Sequence, residues 1–168
     1  MGQLQKLYPQ KITTENFQPY GQLLLPFADD KTYDRQDAQL ELRNGIPRLY
    51  IMNLPYRGKK LRQITRHDLC TQCLGSLEGK EWFIVVAPPS VAKKPDLKAI
   101  AAFQIPGNCF IKLNIGTWHA GPFFDFETVN FYNLELSNTN IVDHFTYNFY
   151  TKEQLEFEIV STHQKAIN

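Results

Sequence analysis

The feature that most constrains this chain is a succession of short apolar runs that never lengthen into a helical period. GQLLLPF, IPRLYIMNLP, KLRQITRH, KEWFIVVAPP, CFIKLNI, TVNFYNLEL and QLEFEIV each have the length and composition of a strand, and turn-forming residues flank them. Many short strands with regular breaks bury their apolar faces only by packing as two sheets or closing into a barrel, so the expected fold class is all-β, a double-sheet jelly-roll barrel. Two segments read as short peripheral helices: TTENFQPYG, opened by a Thr cap and closed by Gly21, and PDLKAIAAF, with Pro95-Asp96 at its start. The polar stretch from Phe27 to Gly45 has weak patterning and reads as a long excursion or an outer strand.

The chain of 168 residues contains no internal repeat, no low-complexity tract and no Gly/Ser linker, so one domain over residues 1–168 is expected. A net charge of +1 with interspersed signs lacks the electrostatic footprint of a nucleic-acid binder, which points to a neutral small-molecule or protein partner. No apolar run reaches the roughly 18 residues of a membrane span, and MGQLQKLYPQ lacks a signal-peptide core, so a soluble cytoplasmic protein without a membrane partner is expected. Three cysteines are too few and odd in number for a secreted disulfide framework.

The stretch ITRHDLCTQCLGSLEGKEWFIVVA poses a choice. Cys70 and Cys73 form a CxxC, while His67, Gln72 and Gly79 form a second pattern over the same residues. A redox CxxC works at a helix N-terminus, where the dipole and free N–H groups stabilise a thiolate; here the flanks read as strand, which would turn the two thiols to opposite faces. No second CxxC or HxxxH completes a zinc site. The cysteines, Cys109 included, therefore read as small buried bystanders. Further on, Asn114-x-Gly116-x-x-His119 places an imidazole just past a tight turn, with Phe110, Lys112 and Asn114 on one strand face. Taken singly, each of His67 and His119 is as readily a packed core residue as a ligand.

His67-x4-Gln72-x6-Gly79 resembles the first cupin motif, with Gln in place of the usual Glu and Thr65 where the first His would stand; Asn114-x-Gly116-x2-His119 resembles the second. The chain is similar more particularly to the ureidoglycolate lyase family of small cupins. ITTENFQPYGQLL, RHDLCTQ, FIVVA, KPDLKAIAAF and GTWH resemble that family's blocks in the same order. The resemblance implies a cupin-type double-stranded β-helix, a homodimer, and an enzyme that splits ureidoglycolate, a 2-hydroxy acid, into glyoxylate and urea late in purine-nitrogen salvage from allantoin.

On that resemblance His67, His119 and Lys112 are the catalytic candidates, and Gln72, Asn114 and Arg66 the substrate-binding ones. Either His67, Gln72 and His119 would hold one divalent metal ion, or one of the two histidines would act directly as the base. The chain departs from the family where W-H-H-P is replaced by Trp118-His119-Ala120-Gly121-Pro122, and where an early Asn-Arg pair becomes Asn53-Leu54 with Arg57 the nearest cation. With fewer ligands, a non-catalytic cupin that binds a small carboxylate as a sensor or accessory protein is the alternative. Arg48, Arg57 and Arg62, and Arg66 taken without the motif, read as charges that protect edge strands. Trp82 and Trp118 read as core or interface filling; His144 and Glu135 stand as further site candidates beside the favoured readings of a surface histidine and a solvated strand glutamate.

Overall fold

KEWFIVVA is apolar at consecutive positions, which suits a strand buried on both faces. In the computed structural model, which describes residues 2–160, this run is an inner strand of the largest sheet. Residue 1 and residues 161–168, the ends of the domain expected over 1–168, lie outside the described residues. The strands are β1 (Gln3–Leu7), β2 (Gln10–Lys11), β3 (Gly21–Leu24), β4 (Pro47–Pro55), β5 (Lys60–Leu61), β6 (Gln63–Arg66), β7 (Gln72–Ser76), β8 (Gly79–Ala87), β9 (Ala101–Gly107), β10 (Phe110–Leu113), β11 (Trp118–Phe123), β12 (Thr128–Leu136), β13 (Phe145–Asn148) and β14 (Leu155–Ile159). The helices are single turns: α1 (Thr14–Phe17), α2 (Thr139–Val142) and α3 (Phe149–Glu153). None among the described residues is long and apolar enough to cross a membrane.

Three sheets result, in the orders β13-β6-β11-β8-β9-β2, β3-β10-β7-β12-β4 and β1-β14-β5. Trp82, Ile84 and Val86 of β8 join Leu74, Ile111, Leu113 and Phe131 of the five-stranded sheet in one core. The alternate residues Phe83, Val85 and Ala87 join Ile64, Trp118, Leu155, Phe157 and Ile159 in a second core beneath the three-stranded sheet. The period-2 alternation of a strand thus feeds two cores from one run. The expected all-β double-sheet jelly roll is the fold of this protein, and all seven predicted runs contribute strands to it.

One local expectation changes, and one choice between two readings is decided. Thr13 caps α1 through a reciprocal capping box with Asn16, as its sequence implies, but PDLKAIAAF forms only a 3-10 turn over Leu97–Ala99. Its end, Ala101-Ala102-Phe103, opens β9, because pairing with β8 buries Phe103 and Ala102 on opposite faces of the sheet. Residues 25–45 contain no strand. They run beside β3 and β7: the Gln22 side chain donates to the carbonyls of Arg35 and Asp37 and accepts from the Gln39 N–H, and the Thr71 N–H donates to Glu41.

Phe157 is wholly buried in the second core and packs edge-on against Phe149 with ring centroids 4.9 Å apart. Phe157→Ala should lower the unfolding free energy by about 3–5 kcal/mol in a urea titration. Leu49→Ala, on the exposed face of β4, should change it by less than about 0.5 kcal/mol.

Candidate active site

β6 ends at Arg66, and the chain turns through residues 67–71 into β7, which leaves the His67 ring at the edge of the barrel interior. Two contacts lock this turn. The Asp143 carboxylate accepts from the backbone N–H groups of Asp68 and Leu69 at 2.7 and 2.9 Å, and the Asp143 carbonyl accepts from His67 Nδ1 at 2.5 Å. The second motif is fastened to the first: the Gly116 N–H donates to the His67 carbonyl at 2.7 Å, and the Thr117 hydroxyl to the Tyr20 carbonyl at 2.8 Å. Gly116 sits at φ +78°, the left-handed conformation that glycine adopts without strain.

From that turn β11 emerges with Trp118 in the second core and His119 on the opposite, inner face, paired with Thr65 of β6. The His67 and His119 ring centroids are 5.0 Å apart. The pairing of β11 with β8 is interrupted by a β-bulge between Ala120 and Phe123, with Gly121 at φ +133°.

A carbonyl oxygen only accepts, so the ring nitrogens facing Asp143 and Thr117 must carry protons. His119 Nδ1 donates to the Thr117 carbonyl at 3.2 Å. Both neutral imidazoles therefore leave Nε2 unprotonated, the tautomer that a base or a metal ligand needs. Burial holds both rings in this neutral form: it pushes His67 below its ordinary value and takes His119, with the neighbouring His67 adding to the effect, down to about 3.

The opposite wall comes from β12, where Val129 and Phe131 enter the first core and Asn133 and Glu135 continue the same face into a cavity of about 260 Å³. Gln72 of β7 donates through Nε2 to Asn133 Oδ1 at 3.1 Å and to Glu135 Oε2 at 3.0 Å. Tyr50 of β4 closes the network, donating to Glu135 Oε1 at 3.3 Å and accepting from Asn133 Nδ2 at 3.0 Å. With Nε2 so employed, Gln72 Oε1 is buried without a partner among the described residues. A buried acceptor left open in this way suits a ligand's N–H or a cation.

His67, Gln72 and His119 thus line the same cavities. Asn114 lies beside them, but its Oδ1 accepts from Lys112 Nζ at 2.6 Å. Lys112 itself does not line the cavity. Ile111 and Leu113 face the core, so Phe110 and Lys112 do share a strand face, but it is the outer one. There Lys112 pairs across strands with Gln22 and Cys73. Arg66 also points away: its guanidinium donates to the carbonyls of Ser90 and Ala92, pairs with Asp68 and lies over Trp118.

Two residues read as peripheral belong to the site instead. Glu135 is 1% exposed and sits in the cavity network, not in solvent. His144 is exposed, yet its ring lies 5.7 Å from that of His67, and it lines both the inner cavity and a wider outer one of about 520 Å³. The signal for Glu135 was the odd-numbered face of TVNFYNLEL, which the apolar Leu134 and Leu136 on the other face obscured.

Residues 29–149, more than half of the chain, match the sequence model of the family described as ureidoglycolate lyase. The chain belongs to the ureidoglycolate lyase family. No curated protein sequence matches it. The match makes this protein a member of an enzyme family that processes ureidoglycolate, and its span holds His67, Gln72, His119, Glu135 and His144. In this ureidoglycolate lyase family member the donors that face the cavity are two imidazole nitrogens and an unpartnered amide oxygen. No group of three His, Cys, Asp or Glu side chains with metal-binding geometry occurs among the described residues.

Cys70 lines the small cavity shared by His67, Gln72 and His119, whereas Cys73 and Cys109 lie outside it. Cys70 lies in the turn before β7 and not in a strand, and Cys70, Cys73 and Cys109 are all buried and unbridged. Burial pushes Cys73 and Cys109 up to about 11, which leaves about one thiol in a thousand ionised at pH 8. Iodoacetamide at pH 8 should therefore modify neither in the native protein and both after denaturation, as read by peptide mass mapping.

Proposed function

We propose that this protein is a lyase that cleaves ureidoglycolate to glyoxylate and urea. The observation that carries the reading is the pair of imidazoles 5.0 Å apart, each held by a carbonyl in the tautomer that leaves Nε2 open over a polar cavity. Ureidoglycolate carries a hydroxyl, a carboxylate and the urea nitrogen on one carbon. Cleavage removes the hydroxyl proton; the oxygen lone pair then forms the aldehyde C=O as the C–N bond breaks, and the urea nitrogen takes a proton. One Nε2 accepts the hydroxyl proton, and the imidazolium so formed, or its neighbour after exchange, returns it to the departing nitrogen.

Closely set imidazoles suit this shuttle because a proton on one raises the cost of a proton on the other. The Asp143 and Thr117 carbonyls keep the Nδ1 protons in place, so the working nitrogen is always Nε2. The Gln72–Asn133–Tyr50–Glu135 network fixes the opposite wall and orients the open amide oxygen. A divalent ion held by His67, His119 and Gln72 Oε1 would occupy the same Nε2 lone pairs, and would act in place of the imidazole shuttle by supplying positive charge that eases ionisation of the hydroxyl.

His67→Ala and His119→Ala should each lower kcat for glyoxylate release by about 100- to 10,000-fold in a coupled glyoxylate assay. Both proteins should keep the near-ultraviolet circular dichroism of the parent, because the two rings line a cavity and leave the apolar cores intact. A wild-type protein that released neither urea nor glyoxylate, yet bound small carboxylates, would establish the non-catalytic alternative.

A further inference from the structure

The inner and outer cavities share a neck formed by Arg57, His119, Gly121 and His144, whereas Gln72, Asn133 and Glu135 line the inner cavity alone. The joined space is therefore electrically polar: a buried carboxylate at its inner wall and a guanidinium at its neck. Arg57 is the one Lys or Arg side chain lining the inner cavity among the described residues. Its neighbours are committed elsewhere, Lys59 to Asp125 and Arg62 to Glu156, while Arg57 has no partner among the described residues. Its place in the β4–β5 turn is fixed from both sides, by the Tyr56 N–H donating to the Glu127 carbonyl at 2.8 Å and by Gly58 at φ +74°.

We propose that Arg57 binds the substrate carboxylate at the neck, and that ureidoglycolate lies with its ureido end inward on Glu135. This assignment rests on the reading of the site as one that acts on ureidoglycolate. Each end of the molecule then meets its complement. The carboxylate pairs with a free planar guanidinium and stays clear of the buried Glu135 charge. The ureido N–H groups face Glu135, whose oxygens each accept only one protein hydrogen bond and keep a lone pair for the ligand. Between them the hydroxyl-bearing carbon lies against His119, which lines both cavities, with His67 beside it. The reverse orientation would set two carboxylates against each other and leave Arg57 unpaired.

The test titrates the wild type, Arg57→Ala and Arg57→Lys with glycolate and with urea, the two halves of the substrate, followed by protein-observed NMR. Steady-state kinetics with ureidoglycolate run alongside. Glycolate affinity should fall by about ten- to a hundredfold in Arg57→Ala, the loss of one charge-assisted contact, and be partly restored in Arg57→Lys. Urea affinity should hold, and KM for ureidoglycolate should rise by a similar factor while kcat changes little. Equal glycolate affinity in wild type and Arg57→Ala would overturn the assignment, whatever the turnover. Absence of glyoxylate release from the wild type would sink the lyase reading instead, and the glycolate titration would still decide whether Arg57 is the anion site.

Discussion

The whole architecture depends on burying both faces of the six-stranded sheet. β8 supplies apolar side chains alternately to the core shared with the five-stranded sheet and to the core beneath β1, β14 and β5. Each fully buried Leu, Ile, Val or Phe contributes about 1.5–3 kcal/mol relative to exposure, so a strand with four such positions, flanked by buried Trp82 and Ala87, anchors both layers at once. β11 hydrogen-bonds beside it, and Trp118 in the outer core obliges His119 to face inward. The polar site can exist at this end of the barrel because the apolar filling stops there. Val129 and Phe131 of β12 give way to Asn133 and Glu135 on the same face.

Within the site, Asp143 does more than any motif residue to set geometry. Its carboxylate neutralises two backbone N–H groups that the turn after β6 would otherwise leave open, and its carbonyl sets the His67 tautomer. The next residue is His144, which the same anchor holds over the neck, its Nδ1 3.4 Å from the Thr146 hydroxyl. Thr146 in turn lies 3.0 Å from Thr65, the residue that stands where a cupin's first histidine would be. An imidazole from a distant segment thus comes close to the position that the motif has vacated.

The strands, the all-β class and the pairing of His67 with His119 were legible because they follow from local alternation and from two motifs. Two kinds of information were not. Alternation says that Phe110 and Lys112 share a face but not which face looks into the barrel, and the choice of face decides whether Lys112 meets a ligand or is buried on the other side of the sheet. Likewise, Asp143, His144 and Glu135 acquire their roles through contacts with residues more than sixty positions away, which no local pattern encodes. PDLKAIAAF failed for a simpler reason. Five apolar residues in a row, Ala99 to Phe103, suit a buried helix or a doubly buried strand equally, and pairing with β8 settles it.

The order in which the chain is made bears on this arrangement. A growing chain that has reached the end of β12 already carries both motif histidines, but not Asp143, so the turn at His67 lacks its acceptor and its clamp. β1 also waits for β14, which it joins in a parallel pair from Gln3 opposite Leu155 to Leu7 opposite Ile159. Until then the outer faces of β6, β8 and β11 are uncovered, with Phe83, Val85 and Trp118 facing water. Such non-local closure is slow, and an apolar sheet left open in the interval is prone to association with its neighbours. For this molecule the most hazardous moment of biogenesis falls just before the last strand appears.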